Sequence, residues 1–150
     1  MIVELKKTAV PVLRELGFSG SFPHFRRIGS ERVDVLTFQF SSWGGSFVVE
    51  IGACPPQGFE SCGKLIPPQK VKVMHLYRRR RLGAQDDHSD HWYNFEKGNY
   101  AQVANAVVPF IRDQGEAWWK SAGPGVASDR VDVSTDRVVV GQRRRISRCT

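Results

Sequence analysis

Arg78-Arg79-Arg80-Arg81 is the densest run of charge in the sequence. A guanidinium is planar, permanently charged and offers its donors in a fixed fork. That suits bidentate capture of a carboxylate, a phosphate or a nucleic-acid backbone. On a strand, successive side chains point to opposite faces, so four adjacent arginines cannot form one patch. Two readings follow. In the first, Arg79 and Arg81 border a concave site together with Trp92 and Tyr93. The guanidinium groups supply donors for an anionic ligand, and the rings supply an apolar wall. Only the short segment 83–91 separates arginine from aromatic. In the second, the arginines are structural and pair with Asp34, Glu50 or the acidic residues Asp86, Asp87 and Asp90.

Other constellations are weaker. Asp86-Asp87-His88-Ser89-Asp90-His91 has carboxylates and imidazoles that could ligate a divalent ion. Its spacing matches no established site, and His88-x2-His91 lacks the helical i, i+4 geometry of a zinc-protease motif. The stretch reads as a polar surface loop, and neither a metal nor a cofactor is expected. Arg26, Arg27, Arg32, Tyr77, Arg79 and Arg81 could share a sheet face with Phe25 and bind single-stranded nucleic acid by stacking and phosphate contact. The RNP pattern of an RNA-recognition domain is absent. Trp118 and Trp119 are adjacent, so one is expected to anchor the core and the other to stay exposed. Gly44-Gly45 sits in a hairpin rather than before a helix, and Ser41-Ser42 belong to no nucleophile elbow. Cys54, Cys62 and Cys149 are odd in number, which suits free thiols in a cytosolic protein. A Cys54–Cys62 bridge is the alternative.

These residues need elements to position them. Ile2, Leu5, Ala9, Val12, Leu13 and Leu16 recur at three- and four-residue steps, which predicts a helix over 2–16 ending at Gly17. Pro11 removes one backbone donor and predicts a kink. Residues 22–52 read as a three-stranded antiparallel meander, with strands at 22–28, 32–40 and 46–52. Pro23 confines the first to a sheet edge. Segment 53–69 is rich in Pro and Gly and reads as a long loop. A fourth strand is expected over 70–82. A second helix is expected over 98–120, with Asn99 as N-cap, Gln102 completing a capping box, and a break at Pro109. Leu13, Leu16, Leu36, Phe38, Phe40, Val49, Ile51, Val103 and Val107 should be buried together.

The chain has 150 residues, 41% hydrophobic and 25% charged. Those values exclude a disordered chain of low hydrophobicity, a collagen and a coiled coil. No apolar stretch approaches the ~18 residues of a membrane span. The net charge is +7, but residues 126–150 hold six Arg against three Asp. The charge left on residues 1–125 is modest. The organisation expected is one α+β domain over 1–125, followed by a basic, flexible tail over 126–150.

Several segments together resemble a known family. The first helix ends in Leu16-Gly17-Phe18. Strands carry Leu36-Thr37-Phe38-Gln39 and Phe47-Val48-Val49-Glu50-Ile51-Gly52. Arg80-Arg81-Leu82-Gly83 and His91-Trp92-Tyr93 follow, and the last helix ends in Trp118-Trp119. Over roughly residues 1–120 this resembles the bacterial family called domain of unknown function 4304. The resemblance implies a small α+β bacterial domain and carries over no catalytic residue.

The expected fold is thus α-β-β-β-β-α. It is a two-layer sandwich in which a curved four-stranded antiparallel sheet carries both helices on one face. The other face would be open. The expected function is a non-catalytic, cytoplasmic binding module for a protein partner or a small anionic ligand, with no membrane role. Nucleic-acid binding and a small enzyme without a recognisable motif are the alternatives.

Overall fold

A computed structural model describes residues 1–123. The expected tail at 126–150 lies outside the described residues. The fold is α+β: an N-terminal helix, an antiparallel sheet and a helical C-terminal region. No helix among the described residues is long and apolar enough to cross a membrane.

Helix α1 spans Ile2–Glu15 and buries Leu5, Ala9, Val12 and Leu13. Pro11 stands on its solvent side, so the missing donor falls where water can serve. The helix stops where expected. Gly17 takes φ +88°, its N–H bonds Arg14 O, and the Phe18 N–H reaches back to Leu13 O at 2.8 Å. This paired closure satisfies two end carbonyls and needs a left-handed residue.

The strands are β1 (Ser19–Ser21), β2 (His24–Ile28), β3 (Val33–Phe40), β4 (Ser46–Cys54), β5 (Phe59–Ser61), β6 (Lys64–Ile66), β7 (Arg79–Arg81) and β8 (Tyr93–Asn94). Six form one antiparallel sheet in the order β1-β2-β3-β4-β7, with β8 pairing β4 as well. Pro23 lies in the turn between β1 and β2 rather than within a strand. Pairing of Leu36 with Ile51, Phe38 with Val49 and Phe40 with Phe47 puts these six residues on one face. They pack against α1 and against α2 (Tyr100–Pro109). All nine residues expected in the core lie in or against this cluster.

The C-terminal helical region is not broken at Pro109: the backbone stays helical through it, and the α-helical hydrogen-bond pattern gives way there to a wider one. A π-helical turn at Phe110–Gly115 follows, then α3 (Glu116–Ser121). The expected capping box does not form. Asn99 turns its side-chain oxygen back to the Glu96 N–H instead. Both tryptophans are buried. Trp119 enters the core and donates its indole N–H to Gly52 O at 3.0 Å. Trp118 is covered from the other side by the 83–91 loop and by Arg78, whose guanidinium lies 5.1 Å from its ring.

Further expectations need correction: the sheet has six strands rather than four, and segment 53–69 is not all loop, since it holds the β5–β6 hairpin. Residues 70–78 are not a strand; they contain a 3₁₀ turn at Val73–His75, and only Arg79–Arg81 joins the sheet. The sheet's outer face is also not open. The β5–β6 hairpin and residues 71–76 fold back across it, so that Phe59, Val71, Val73 and Leu76 bury Val33, Val35 and Cys54. In a 3₁₀ turn residues i and i+3 eclipse. Val73 and Leu76 therefore reach the sheet together, while Met74 is 71% exposed. Gly52 permits this approach, because a Cβ there would stand 2.6 Å from Leu76 Cδ1. Leu76→Ala is expected to cost about 2–5 kcal/mol and Met74→Ala no more than about 0.5 kcal/mol, measured by chemical denaturation. On an extended strand both would share a face, and similar losses would restore that reading.

Candidate functional site

The edge of β4 holds the arginine run. Register pairs Glu50 with Arg81, Ile51 with Arg80 and Gly52 with Arg79. Arg80 therefore points to the helix face, and Arg79 and Arg81 to the outer face with Glu50.

Each face supplies carboxylates. On the helix side, Arg80 donates to Asp87 Oδ1 at 3.1 Å and to the carbonyls of Ala84 and Gln85. The same Asp87 oxygen accepts the Trp118 indole N–H at 3.0 Å, and Oδ2 meets Arg78 Nε at 3.4 Å. On the outer side, Glu50 lies 3.4 Å from Arg81 and 3.9 Å from Arg79. Arg81 also bonds Asp90 and stacks 5.2 Å from the Trp92 ring. Arg79 differs from its neighbours. Its side chain makes no hydrogen bond with a described residue, and at 43% it is about as exposed as that of Arg78.

The acidic loop is held by its own carboxylates. Asp86 accepts from the Ser89 hydroxyl and from the amides of His88 and Ser89. The Ser89 hydroxyl and then these amides hold its carboxyl below the usual carboxylate range. Desolvation alone would raise Asp90, but the Trp92 indole and Arg81 outweigh it and bring its carboxyl down too. Gln114, in the π-helical turn, pins the loop to the helix layer. Its side chain accepts from Gly83 N–H and donates to Ala84 O. Gly83 takes φ +94°, and a Cβ there would meet the His91 ring at 2.4 Å. Among the described residues, no three His, Cys, Asp or Glu side chains converge as metal ligands would.

The four residues expected to form one site are divided. Arg79 and Arg81 line an open cleft of about 350 Å³ with Arg80, Tyr77, Glu50 and the 87–90 segment. Trp92 stands at its border through Arg81. Tyr93 does not reach the cleft. Its ring stacks on Phe47 at 5.2 Å, and its hydroxyl donates to Leu82 O inside the core. Burial pushes that phenol up, which keeps it neutral. Trp92 and Tyr93 together edge a separate shallow depression beside Asn99 and Gln102.

The other candidates have structural partners. Arg27 and Phe25 face the helices, so the basic–aromatic sheet face does not assemble as expected. Arg27 grips buried Asp34 at 2.8 Å and Glu116 of α3 at 2.8 Å, and lies over the rings of Phe18 and Trp119. Arg32 holds the second Asp34 oxygen at 2.7 Å. Cys54 is a free, buried thiol, so it is not bridged to Cys62. Burial, and then the charge of Asp34, push it up to about 11, far from a reactive thiolate. Cys62 is not a free thiol, so among the described residues the free-thiol expectation fails at Cys62 and holds at Cys54.

A family model described as Domain of unknown function (DUF4304) matches residues 9–121, from the middle of α1 to the last residue of α3. The chain belongs to the domain of unknown function 4304 family. The matched span takes in the whole sheet and the arginine edge. No curated protein and no solved structure matches the chain. Within this family member, Tyr77 lines the cleft although it is absent from the expected group of Arg79, Arg81, Trp92 and Tyr93; the sequence offers it only on the basic–aromatic sheet face. The expected strand over 70–82 would hold it mid-strand, whereas its ring is 79% exposed. No local pattern marks that, because the exposure comes from the chain leaving the outer face before β7.

The geometry separates Arg80 from Arg79 energetically. Arg80→Ala is expected to lower the unfolding free energy by about 1.5–3 kcal/mol through lost charged hydrogen bonds. Arg79→Ala should change it by less than about 0.5 kcal/mol. Urea denaturation of both variants checks this. Equal losses would place Arg79 in the same structural network.

Proposed function

We propose that the chain is a binding module that takes a carboxylate-bearing protein segment at the β7 edge, through Arg79, Arg81, Tyr77 and Trp92. The supporting observation is the state of Arg79. Its guanidinium is exposed in the cleft and its nearest carboxylate is 3.9 Å away, outside hydrogen-bond reach. Its donors are therefore available to an incoming carboxylate in a bidentate fork.

The surroundings suit a protein partner. Tyr77 and Trp92 are exposed aromatics beside arginines, the residue types that dominate interface energetics. Ring faces bury apolar area at little entropic cost, and the stack of Trp92 on Arg81 holds that guanidinium in position. Glu50, Asp87 and Asp90 already balance Arg80 and Arg81. Arg79 is the donor that a partner would engage.

A synthetic peptide of alternating glutamate and leucine provides the probe. Its titration should shift the Nε–H resonance of Arg79 and the indole resonance of Trp92 to saturation. Arg79→Ala should weaken binding about tenfold or more while leaving the melting temperature unchanged. Peptide binding that leaves both resonances in place, or an absence of binding, would contradict this function.

A further inference from the structure

A second cleft, of about 560 Å³, opens on the outer face where the β5–β6 hairpin and residues 67–75 cross the sheet. Its size falls in the range of small-molecule sites. Arg26, Lys64, Lys70 and Lys72 line it, with His75. No carboxylate is among its lining residues, and none of the four cations forms an ion pair with a described residue. This is the reverse of the β7 edge, where carboxylates sit between the arginines.

Two further observations point inward. Arg26 Nε, like Arg80 Nε at the β7 edge, is buried without a hydrogen-bond partner among the described residues, a state that native structures rarely leave uncompensated. The His75 ring is also fixed. Its Nδ1 accepts the Lys72 N–H at 3.0 Å, which puts the proton of the neutral ring on Nε2 as a donor. Burial first, and then Lys72, hold the His75 imidazole below its ordinary range. His24 is lowered by burial and then by Lys72, Arg26 and His75. Burial is the larger cause for both rings, and the charge of Lys72 acts on each in the same direction.

We propose that this cleft is a binding site for a multiply charged phosphoryl anion. A phosphoryl group carries about 1.5–2 negative charges and three strong acceptor oxygens. It can engage several separate cations at once, whereas one carboxylate would leave most of these four unmatched. Lysine serves such groups as a point charge and arginine as a fork. Leu65, Ile66 and Pro67 form the apolar part of the wall. No Phe, Tyr or Trp lines the cleft, and the single His75 ring gives no platform on which successive bases would stack, so its chemistry is that of a small ligand rather than of a nucleic-acid strand.

Inorganic pyrophosphate and adenosine diphosphate, titrated into the full chain, test the site by calorimetry and by histidine NMR. One saturable site is expected, weakening with salt, with both imidazole resonances shifting. Bound anion should raise the lowered pKa values of His24 and His75. Tighter binding of adenosine diphosphate would assign the apolar wall to an organic body. Tighter binding of pyrophosphate would assign the site to the free anion; either supports the proposal. The triple variant Lys64→Gln/Lys70→Gln/Lys72→Gln should lose about tenfold or more in affinity, and each single variant part of that. Arg79→Gln should bind as the unaltered chain does, which separates this site from the β7 edge. Absence of saturable binding, binding that leaves the His75 resonances unmoved, or binding lost in Arg79→Gln and kept in the lysine variants would overturn the proposal.

Discussion

A strand shows its side chains to opposite faces in turn, and that alternation decides what this fold must do with four adjacent arginines. The helix-facing guanidinium, on Arg80, enters a region where an unpaired charge would be costly. Asp87 and two loop carbonyls compensate it. Asp87 in turn fixes the Trp118 indole and meets Arg78, so one carboxylate joins the sheet edge, the loop and the last helix. The outward arginines meet Glu50 at the edge of β4 and Asp90 from the loop. The 83–91 segment is acidic because it is the counter-ion of β7, and its two faces receive different carboxylates.

The sheet is covered on both sides, though unequally. Helices bury the Phe-rich face over the length of β3 and β4. The outer face is covered at one end by a connection with little regular structure, whose apolar anchors are Phe59, Val71, Val73 and Leu76. Gly52 lies where the two layers come closest, with Leu76 against one side and its carbonyl taken by Trp119. Because the cover is partial, it leaves a rim on which basic residues gather without counter-charges. The two clefts arise from one feature of topology: the chain crosses the outer face, rounds the sheet edge and enters β7.

Much of this was legible in the residues. The stripe of α1 and the alternation of β3 and β4 are local patterns that act within a few residues, and the core followed from them. What failed depended on distant contacts. Met74, Leu76 and Leu82 share a parity that reads as one strand face. Yet Leu76 belongs to the outer cluster and Leu82 to the helix-side core, because the chain rounds the edge between them. Tyr93 looked like a ligand-facing ring, but pairing of β8 with β4 carries it inward, and that pairing has no local signature. Trp118 is buried by a loop some thirty residues earlier in the chain. For the arginines, strand alternation foretold a division between faces. Which of them would keep free donors depended on where Glu50, Asp87 and Asp90 came to lie.

The division of the arginine run between two faces is tested most directly by double-mutant cycles on unfolding free energy. One cycle pairs Arg80→Ala with Asp87→Ala, and the other pairs Arg79→Ala with Asp87→Ala. Residues in contact couple by about 0.5–3 kcal/mol, and independent sites add within about 0.5 kcal/mol. A coupling of about 1 kcal/mol or more for Arg80 with Asp87, beside none resolved for Arg79, is the result expected from strand alternation. Equal couplings, or a larger one for Arg79, would contradict it.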